Sequence, residues 1–133
     1  METHLGHLQV NVTPANLSFY KDLMNFLGWD TIVANDEMAG FGGKTSLWFI
    51  AAAKAVANDY DGPGTNHIAI GANSIADVDS VAGYLNDHNI AALFETPRHR
   101  PDFSMGDGQT YYQVMFASPD NILFEVVYTG PIS

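Results

Sequence analysis

Three residues of the chain, His7, His67 and Glu125, are of types that bind divalent metals. His7 lies in a segment of alternating apolar and polar residues, and His67 lies in a similar segment sixty residues later. Glu125 lies inside an apolar run, where an unpaired carboxylate would be costly to bury. Two imidazoles and one carboxylate suffice to hold a divalent ion with positions left open for water or substrate. The spacing predicts a metal site, with the alternative that the histidines only make structural hydrogen bonds and the glutamate is solvated.

Strand parity predicts which side chains share a surface with these three residues, because alternate side chains of a strand point to the same face. The accompanying residues carry amide, hydroxyl, aromatic and thioether groups: Gln9, Asn11, Ser46, Trp48, Tyr111, Gln113 and Met115. Such a surface suits a small ligand that is partly aromatic or bears a carbonyl. The alternative is that Trp48, Tyr111 and Met115 belong to the core.

A basic cluster, Arg98-His99-Arg100, holds two of the five cations of the chain. Its guanidinium groups could contact a carboxylate or phosphate of a substrate. Equally, they could only neutralise neighbouring acids such as Glu95, Asp102 and Asp107.

Two similar halves must position these residues, and each reads as a strand, a helix and then further strands. Segment 7–12 alternates as a half-buried strand does, and an amphipathic helix follows it and ends at Gly28. In the second half a strand over 66–71 precedes a helix that Ser74 begins. Further strands are predicted at 29–34, 45–52, 90–95, 111–117 and 122–128, with a turn at 40–43 and a loop from 96 to 109.

The repeat predicts an α+β fold in which two βαβββ modules form a half-open, mostly antiparallel barrel. We expect one domain, 1–133, with a first module at about 3–57 and a second at about 64–130. In this alignment of the halves, Trp48 is the counterpart of Glu125.

Composition and charge exclude several classes of function. Five Lys and Arg residues stand against fifteen Asp and Glu residues, a formal net charge of −10, which argues against nucleic acid or an anionic membrane as partner. The absence of cysteine excludes disulfides, thiolate metal sites and cysteine nucleophiles. No apolar run is long enough to span a membrane and no signal peptide is recognisable, so the expected location is the cytoplasm.

The motifs of the chain resemble those of the vicinal oxygen chelate superfamily, which includes glyoxalase I, bleomycin-resistance proteins, extradiol dioxygenases and fosfomycin-resistance transferases. The run LSFYKDL, followed by Leu27-Gly28, is similar to the family's first helix. The run SPDNILFE, which ends at Glu125, resembles its conserved turn and strand, although Asn121 and Ile122 depart from the usual pattern. Tyr111-Tyr112 matches a strand common in its small glyoxalase-like members, and Ser46-Leu47-Trp48-Phe49 resembles the end of its first module.

This resemblance implies that His7, His67 and Glu125 bind a divalent metal such as zinc, iron, manganese or nickel. Glyoxalase I uses a fourth ligand, a glutamate, where this chain has Trp48. The remaining triad is instead the ligand set of the dioxygenases and fosfomycin transferases, although Gln9 replaces a threonine of the latter. The resemblance therefore implies a metal-dependent enzyme that chelates two oxygens of a small substrate, with Glu125 able to move protons.

Two further expectations accompany this reading. One alternative function is a metal-free protein that sequesters a small molecule, as bleomycin-resistance members do, and another is a housekeeping module whose pocket is vestigial. We also expect a homodimer, because paired modules of this size leave sheet edges and apolar surface to cover.

Overall fold

The computed structural model describes residues 1–43 and 45–133, and they divide into two compact units, Met1–Ala57 and Asn58–Ser133. Each unit has one α-helix and one four-stranded sheet that does not close on itself. The two units share one element order, so the predicted α+β fold of two βαβββ modules with mostly antiparallel strands is confirmed.

The first unit runs in the order β1, α1, β2, β3, β4. Its elements are β1 His7–Val12, α1 Leu17–Phe26, β2 Asp30–Ala34, β3 Met38–Gly42 and β4 Ser46–Ala51. The strands lie in the order β1-β4-β3-β2, with β1 parallel to β4 and the other pairs antiparallel. A short 3₁₀ turn precedes α1. The helix ends at Phe26, and Gly28, the predicted stop, follows two residues later with a φ of 82° that suits glycine.

One face of the first sheet packs against α1. The helix buries Leu17, Tyr20, Leu23 and Met24, and the Tyr20 ring stacks on Phe49 of β4 at 4.5 Å. Because Phe49 faces the helix, strand parity directs Ser46, Trp48 and Ile50 to the opposite face.

The second unit repeats this order. Its elements are β5 His67–Gly71, α2 Ile75–Asp87, β6 Leu93–His99, β7 Gln109–Ala117 and β8 Leu123–Pro131. The strands lie in the order β5-β8-β7-β6, again with the first strand parallel to the last.

Helix α2 forms the core of the second unit with β7 and β8. As predicted, Ser74 caps its start, since the Ser74 hydroxyl accepts a hydrogen bond from the Asp77 amide at 3.0 Å. The helix closes at Asn89, which has a φ of 57°. The side chains that meet between helix and sheet are apolar: Val78, Val81, Leu85, Val114, Phe116, Phe124 and Val126. Glu125, between two of these residues, therefore points to the other face of the sheet.

Two predicted segments differ from the structure. The predicted turn at 40–43 is wrong for most of its length, because Met38–Gly42 form the strand β3, in which Gly40 pairs with Trp48. The predicted loop from 96 to 109 is wrong at both ends, because β6 continues to His99 and β7 begins at Gln109. Thr96 explains why β6 continues past residue 95. Its hydroxyl donates to the Leu93 carbonyl and accepts from the Met115 amide, so this side chain takes the place of backbone hydrogen bonds between β6 and β7.

Within the described residues, neither helix has the length and apolar character that crossing a membrane requires.

Candidate functional site

The predicted equivalence of Trp48 and Glu125 is confirmed by the strand register. In the first unit, Gln9 of β1 lies opposite Trp48 of β4. In the second unit, Ala69 of β5 lies opposite Glu125 of β8. Each of these partners follows a strand histidine by two residues, so the two sheets present His and Trp in one unit and His and Glu in the other.

His67 and Glu125 form a close pair on the face of the second sheet that points away from α2. The His67 Nε2 atom lies 3.1 Å from the Glu125 Oε2 atom. The Glu125 side chain is 3% exposed and the His67 side chain is 37% exposed. A ligand or ion would therefore reach the pair from the imidazole side.

Asn66 fixes the orientation of the His67 ring. Its amide nitrogen donates to the Tyr60 carbonyl at 2.9 Å, which leaves the amide oxygen 2.8 Å from the His67 Nδ1 atom. An amide oxygen only accepts, so Nδ1 carries a proton and donates it to Asn66. The other nitrogen, Nε2, is the one presented to Glu125.

The contact between His67 and Glu125 requires a positive charge or a proton between two acceptors. A neutral imidazole with its proton on Nδ1 has only a lone pair at Nε2, and a carboxylate oxygen also only accepts. The contact is therefore held by a proton on one of the two atoms, or by a cation that takes the place of that proton. Such an arrangement of an oriented imidazole beside a carboxylate is typical of metal ligands with their supporting hydrogen bonds.

Tyr111 satisfies the second oxygen of Glu125. The Tyr111 hydroxyl donates to the Glu125 Oε1 atom. Burial raises the pKa of Tyr111 above its usual value of 10.0, and the hydrogen bond to the Glu125 carboxylate raises this pKa further. Tyr111 is thus a neutral donor at physiological pH, and it holds Glu125 with one oxygen directed at His67.

Phe103 packs against Tyr111, and Arg100 packs against Phe103. The Phe103 ring meets the Tyr111 ring edge-on at 5.5 Å, and the Arg100 guanidinium lies 4.4 Å from the Phe103 ring centre. Arg100 also forms an ion pair with Asp102 at 3.0 Å, and this contact raises the pKa of Arg100 and lowers that of Asp102. For Arg100, the interpretation as a partner of a neighbouring acid is confirmed.

The polar side chains predicted for the first unit lie on the sheet face that points away from α1. The Gln9 amide nitrogen donates to the Asn11 side-chain oxygen at 3.1 Å, and the Trp48 ring nitrogen donates to the Ser46 hydroxyl at 2.9 Å. The indole covers Gly40, at which an added Cβ would lie only 2.4 Å from a ring carbon. His7 lies on the same face of β1 and is exposed.

Gln113 and Met115 lie on the same face of the second sheet as Glu125. Met115 is the register partner of Glu125, and both Met115 and Gln113 are buried. Arg98 of β6 is the register partner of Gln113, so it shares this face, and its Nη1 atom lies 3.6 Å from an exposed Glu95 carboxylate.

The predicted metal ligands are therefore brought together in part. His67 and Glu125 lie in contact within the second unit, whereas His7 belongs to the first unit and its role stays a prediction. Over residues 1–43 and 45–133, no group of three or more histidine and acidic side chains is arranged to hold a metal ion.

Sequence reasoning missed Asn66 and the specific role of Tyr111. Asn66 directly precedes the strand histidine, and an Asn-His pair at the start of a strand was a usable signal. No local signal linked Tyr111 to Glu125, because the two residues come from different strands and the contact depends on their register.

Comparisons with known proteins were made by sequence and by structure. No protein-family model matches the chain, and no curated protein matches it by sequence. Among solved structures, the chain is similar to a proposed glyoxalase from Bacillus halodurans, with 25% identity, a TM-score of 0.75 and coverage of 93% of this chain and 94% of that one.

Two further solved structures agree. A glyoxalase/bleomycin resistance protein from Albidiferax ferrireducens T118 has 17% identity and a TM-score of 0.72, and the match covers 93% of this chain and 98% of that one. A fosfomycin resistance protein from Listeria monocytogenes has 19% identity and a TM-score of 0.65, over 96% of this chain and 94% of that one. The chain therefore has the fold of glyoxalase, bleomycin-resistance and dioxygenase proteins, which is the fold that the resemblance to the vicinal oxygen chelate superfamily implies.

Proposed function

We propose that this protein is a divalent-metal-dependent enzyme that acts on a small substrate by chelating two of its oxygens. His67 and Glu125 are the proposed ligands from the second unit, and His7 stays the predicted third ligand. The observation that carries the proposal is the contact between an imidazole nitrogen and a carboxylate oxygen whose orientations are both fixed by neighbours.

The separation of the two ligand atoms fits one shared ion. For ligand atoms about 2.0–2.2 Å from one ion, two adjacent ligand atoms are about 2.8–3.1 Å apart at a right angle and about 3.3–3.6 Å apart at a tetrahedral angle. The observed distance from Nε2 of His67 to Oε2 of Glu125 is 3.1 Å. The proton assignment adds to this fit, since the Asn66 amide oxygen accepts a hydrogen bond from the Nδ1–H group of His67 and the Nε2 lone pair remains for a metal.

The residues of the second unit have distinct proposed roles. A bound divalent ion would supply Lewis-acid stabilisation of negative charge on the substrate oxygens. Tyr111 keeps the Glu125 carboxylate turned toward His67 and remains a neutral donor. Glu125 has a free lone pair on each oxygen and is the group that accepts or returns a substrate proton.

A specific observation favours a second candidate function, a metal-free protein that binds and sequesters a small molecule. Both oxygens of Glu125 already have partners within the chain, Tyr111 and His67. A carboxylate satisfied in this way needs no ion for its burial.

Metal analysis of the purified protein tests the proposal. The wild-type protein, stripped with a chelator and then titrated with zinc, iron, manganese or nickel in a calorimeter, is expected to bind one ion per chain. His67→Ala should lose this binding and keep its circular dichroism spectrum, because strand hydrogen bonds do not use the imidazole.

His4→Ala is the matched control, since it removes one exposed histidine from the chain outside any strand. It should bind the ion as the wild type does. If the wild type binds none of the four metals stoichiometrically, the metal-dependent enzyme is wrong and the metal-free binding protein takes its place.

A further inference from the structure

Two buried nitrogen donors on the Glu125 face of the second sheet have no partner. Among the described residues, neither the amide nitrogen of Gln113 nor the Nε atom of Arg98 meets a hydrogen-bond acceptor. Gln113 is only 2% exposed, so its amide is shielded from bulk water. A buried donor without an acceptor is rare and costly, and it calls for a specific explanation.

The two donors are neighbours across the sheet. Arg98 of β6 lies directly opposite Gln113 of β7, and side chains that pair in this way project to the same face about 5 Å apart at Cβ. The other end of the guanidinium, Nη1, lies 3.6 Å from Glu95. Arg98 and Gln113 therefore lie side by side on this face, and each carries a buried donor without a partner.

The backbone of β6 is distorted in a way that sets the position of Arg98. The register shifts between Leu93 and Arg98, and Phe94 and Glu95 both have left-handed φ values, of 57° and 61°. Such values are unfavourable for residues with a side chain and persist only where the surroundings impose them. The buried Thr96 hydroxyl fastens this bulge to β7, and the strand then resumes with Arg98 opposite Gln113.

The Tyr111–Glu125 hydrogen bond covers the donor pair. Along β7 and β8, the pair Gln113–Val127 lies between the pairs Tyr111–Thr129 and Met115–Glu125 on one face. The hydrogen bond from the Tyr111 hydroxyl to the Glu125 carboxylate therefore crosses the sheet face at the position of Gln113.

We propose that Arg98 and Gln113 form a subsite for the carboxylate of a small monoanionic ligand. This proposal rests on the proposed function, in which other oxygens of the same ligand bind at the metal near Glu125. One carboxylate oxygen would accept from Arg98 Nε and the other from the Gln113 amide, which satisfies both orphaned donors at once. The substrate class is thus a small oxygen-bearing carboxylic acid.

The charge balance favours a carboxylate over a phosphate. Arg98 is one of only five cations in a chain of net charge −10, and it is the sole guanidinium paired with Gln113. One cation beside a buried Glu125 suits a single negative charge and disfavours a dianion, because like charges within a partly buried site repel strongly.

Binding of simple probes to chelator-stripped protein tests the subsite. We would titrate ¹⁵N-labelled protein with benzoate, with its neutral analogue benzamide and with inorganic phosphate, and follow the Gln113 side-chain and Arg98 Nε resonances. Benzoate should shift both resonances and bind at least about tenfold more tightly than benzamide or phosphate. Equal binding of the three probes, tighter binding of phosphate, or no shift with benzoate would overturn the proposal.

Substitutions identify the donors. Arg98→Lys keeps the charge but loses the planar edge, and Gln113→Leu keeps the volume but loses the amide, so each should weaken benzoate binding about tenfold. Lys54→Gln removes one exposed cation outside the strands and should leave benzoate binding unchanged, which would show that a general change in net charge does not explain the effects. Wild-type benzoate affinity in both site variants, each with a native amide spectrum, would contradict the assignment.

A metal titration separates this proposal from the previous one. Arg98→Lys should bind metal as the wild type does, whereas His67→Ala should lose metal and keep its benzoate affinity. Benzoate binding without metal binding would leave the subsite standing and remove the metal-dependent enzyme. Metal binding without benzoate binding would do the reverse.

Discussion

The amide of Asn66 decides which nitrogen of His67 faces Glu125, and this makes Asn66 a positioning residue for the proposed metal. Asn66→Ala should weaken metal binding by about 10- to 100-fold, because the ring loses the acceptor that fixes its tautomer and orientation. Asn66→Asp keeps an acceptor for Nδ1 and should restore most of the affinity. Calorimetric titration with zinc measures both, and equal affinity of the alanine variant and the wild type would contradict the role.

The unpartnered amide of Gln113 lowers the stability of the ligand-free protein and, in the proposed subsite, binds the ligand. Gln113→Leu should raise the free energy of unfolding of the ligand-free protein by about 1–3 kcal/mol, since it removes a buried amide nitrogen that has no acceptor and fills the same volume. Urea unfolding followed by circular dichroism measures this change. Gln9→Leu is the control, because Gln9 is exposed and bonded to Asn11, and it should not stabilise the protein. A less stable Gln113→Leu variant would show that the amide has an acceptor after all.

At the scale of single elements, the strand β3 depends on Gly40. Gly40→Ala should lower the free energy of unfolding by about 1–3 kcal/mol, since the new Cβ would overlap the Trp48 ring, with its nearest atom at 2.4 Å. Gly83→Ala in α2 is the matched control, because a Cβ at Gly83 meets nothing within 4 Å and should stabilise the helix. Urea unfolding of both variants tests the pair, and equal changes would show that the indole moves freely.

The elements that sequence could predict are those whose pattern is local. Alternation predicts β1 and β5, and the Ser74 cap predicts the start of α2, because each rests on residues adjacent in the chain. Strand β3 was missed because Gly40 and its neighbours read as a turn, and only the Trp48 ring on the next strand explains the glycine.

The candidate site also contains residues that the sequence could predict and residues that it could not. The residue types and the repeat predicted His67 and Glu125, which the structure brings into contact. The orphaned donors of Arg98 and Gln113 could not be foreseen, because they depend on the bulge in β6 and on the Thr96 hydroxyl that fastens it.

At the scale of the whole molecule, alkaline pH should destabilise the protein through Tyr112. Burial, and then the hydrogen bond from the Tyr112 hydroxyl to Asp79 of α2, raises the pKa of Tyr112 from 10.0 to about 12. A pKa raised on folding favours the protonated phenol in the folded state. The resulting stability is fully present below pH 10 and is lost as the pH rises through about 12.

Tyrosinate absorbance at 295 nm and urea unfolding between pH 8 and 12 measure this effect. Asp79→Asn should lower the pKa of Tyr112 toward 10. Tyr112→Phe should remove this ionisation and reduce the loss of stability at alkaline pH. An unchanged titration in both variants would contradict the assignment.

We also propose that the protein is a homodimer. Large apolar side chains remain exposed on both units, among them Phe26 at 44%, Ile32 at 54% and Phe94 at 50%. Burial of such side chains against a second copy would be favourable. Sedimentation at micromolar concentration should give twice the chain mass of 14.5 kDa. A single species at the mass of one chain would contradict the proposal, and Phe94→Ser and Phe26→Ser would report which surface is used.

The fit of the Trp48 indole over Gly40 has a consequence for the history of the chain. If the two halves descend from one duplicated module, the position of Trp48 and that of Glu125 began with the same residue, and today only one half has a carboxylate there. Any residue but glycine at 40 would collide with the indole. The glycine must therefore have arisen before the tryptophan or together with it. As long as tryptophan stays at 48 with its ring in this place, position 40 is closed to every residue with a Cβ.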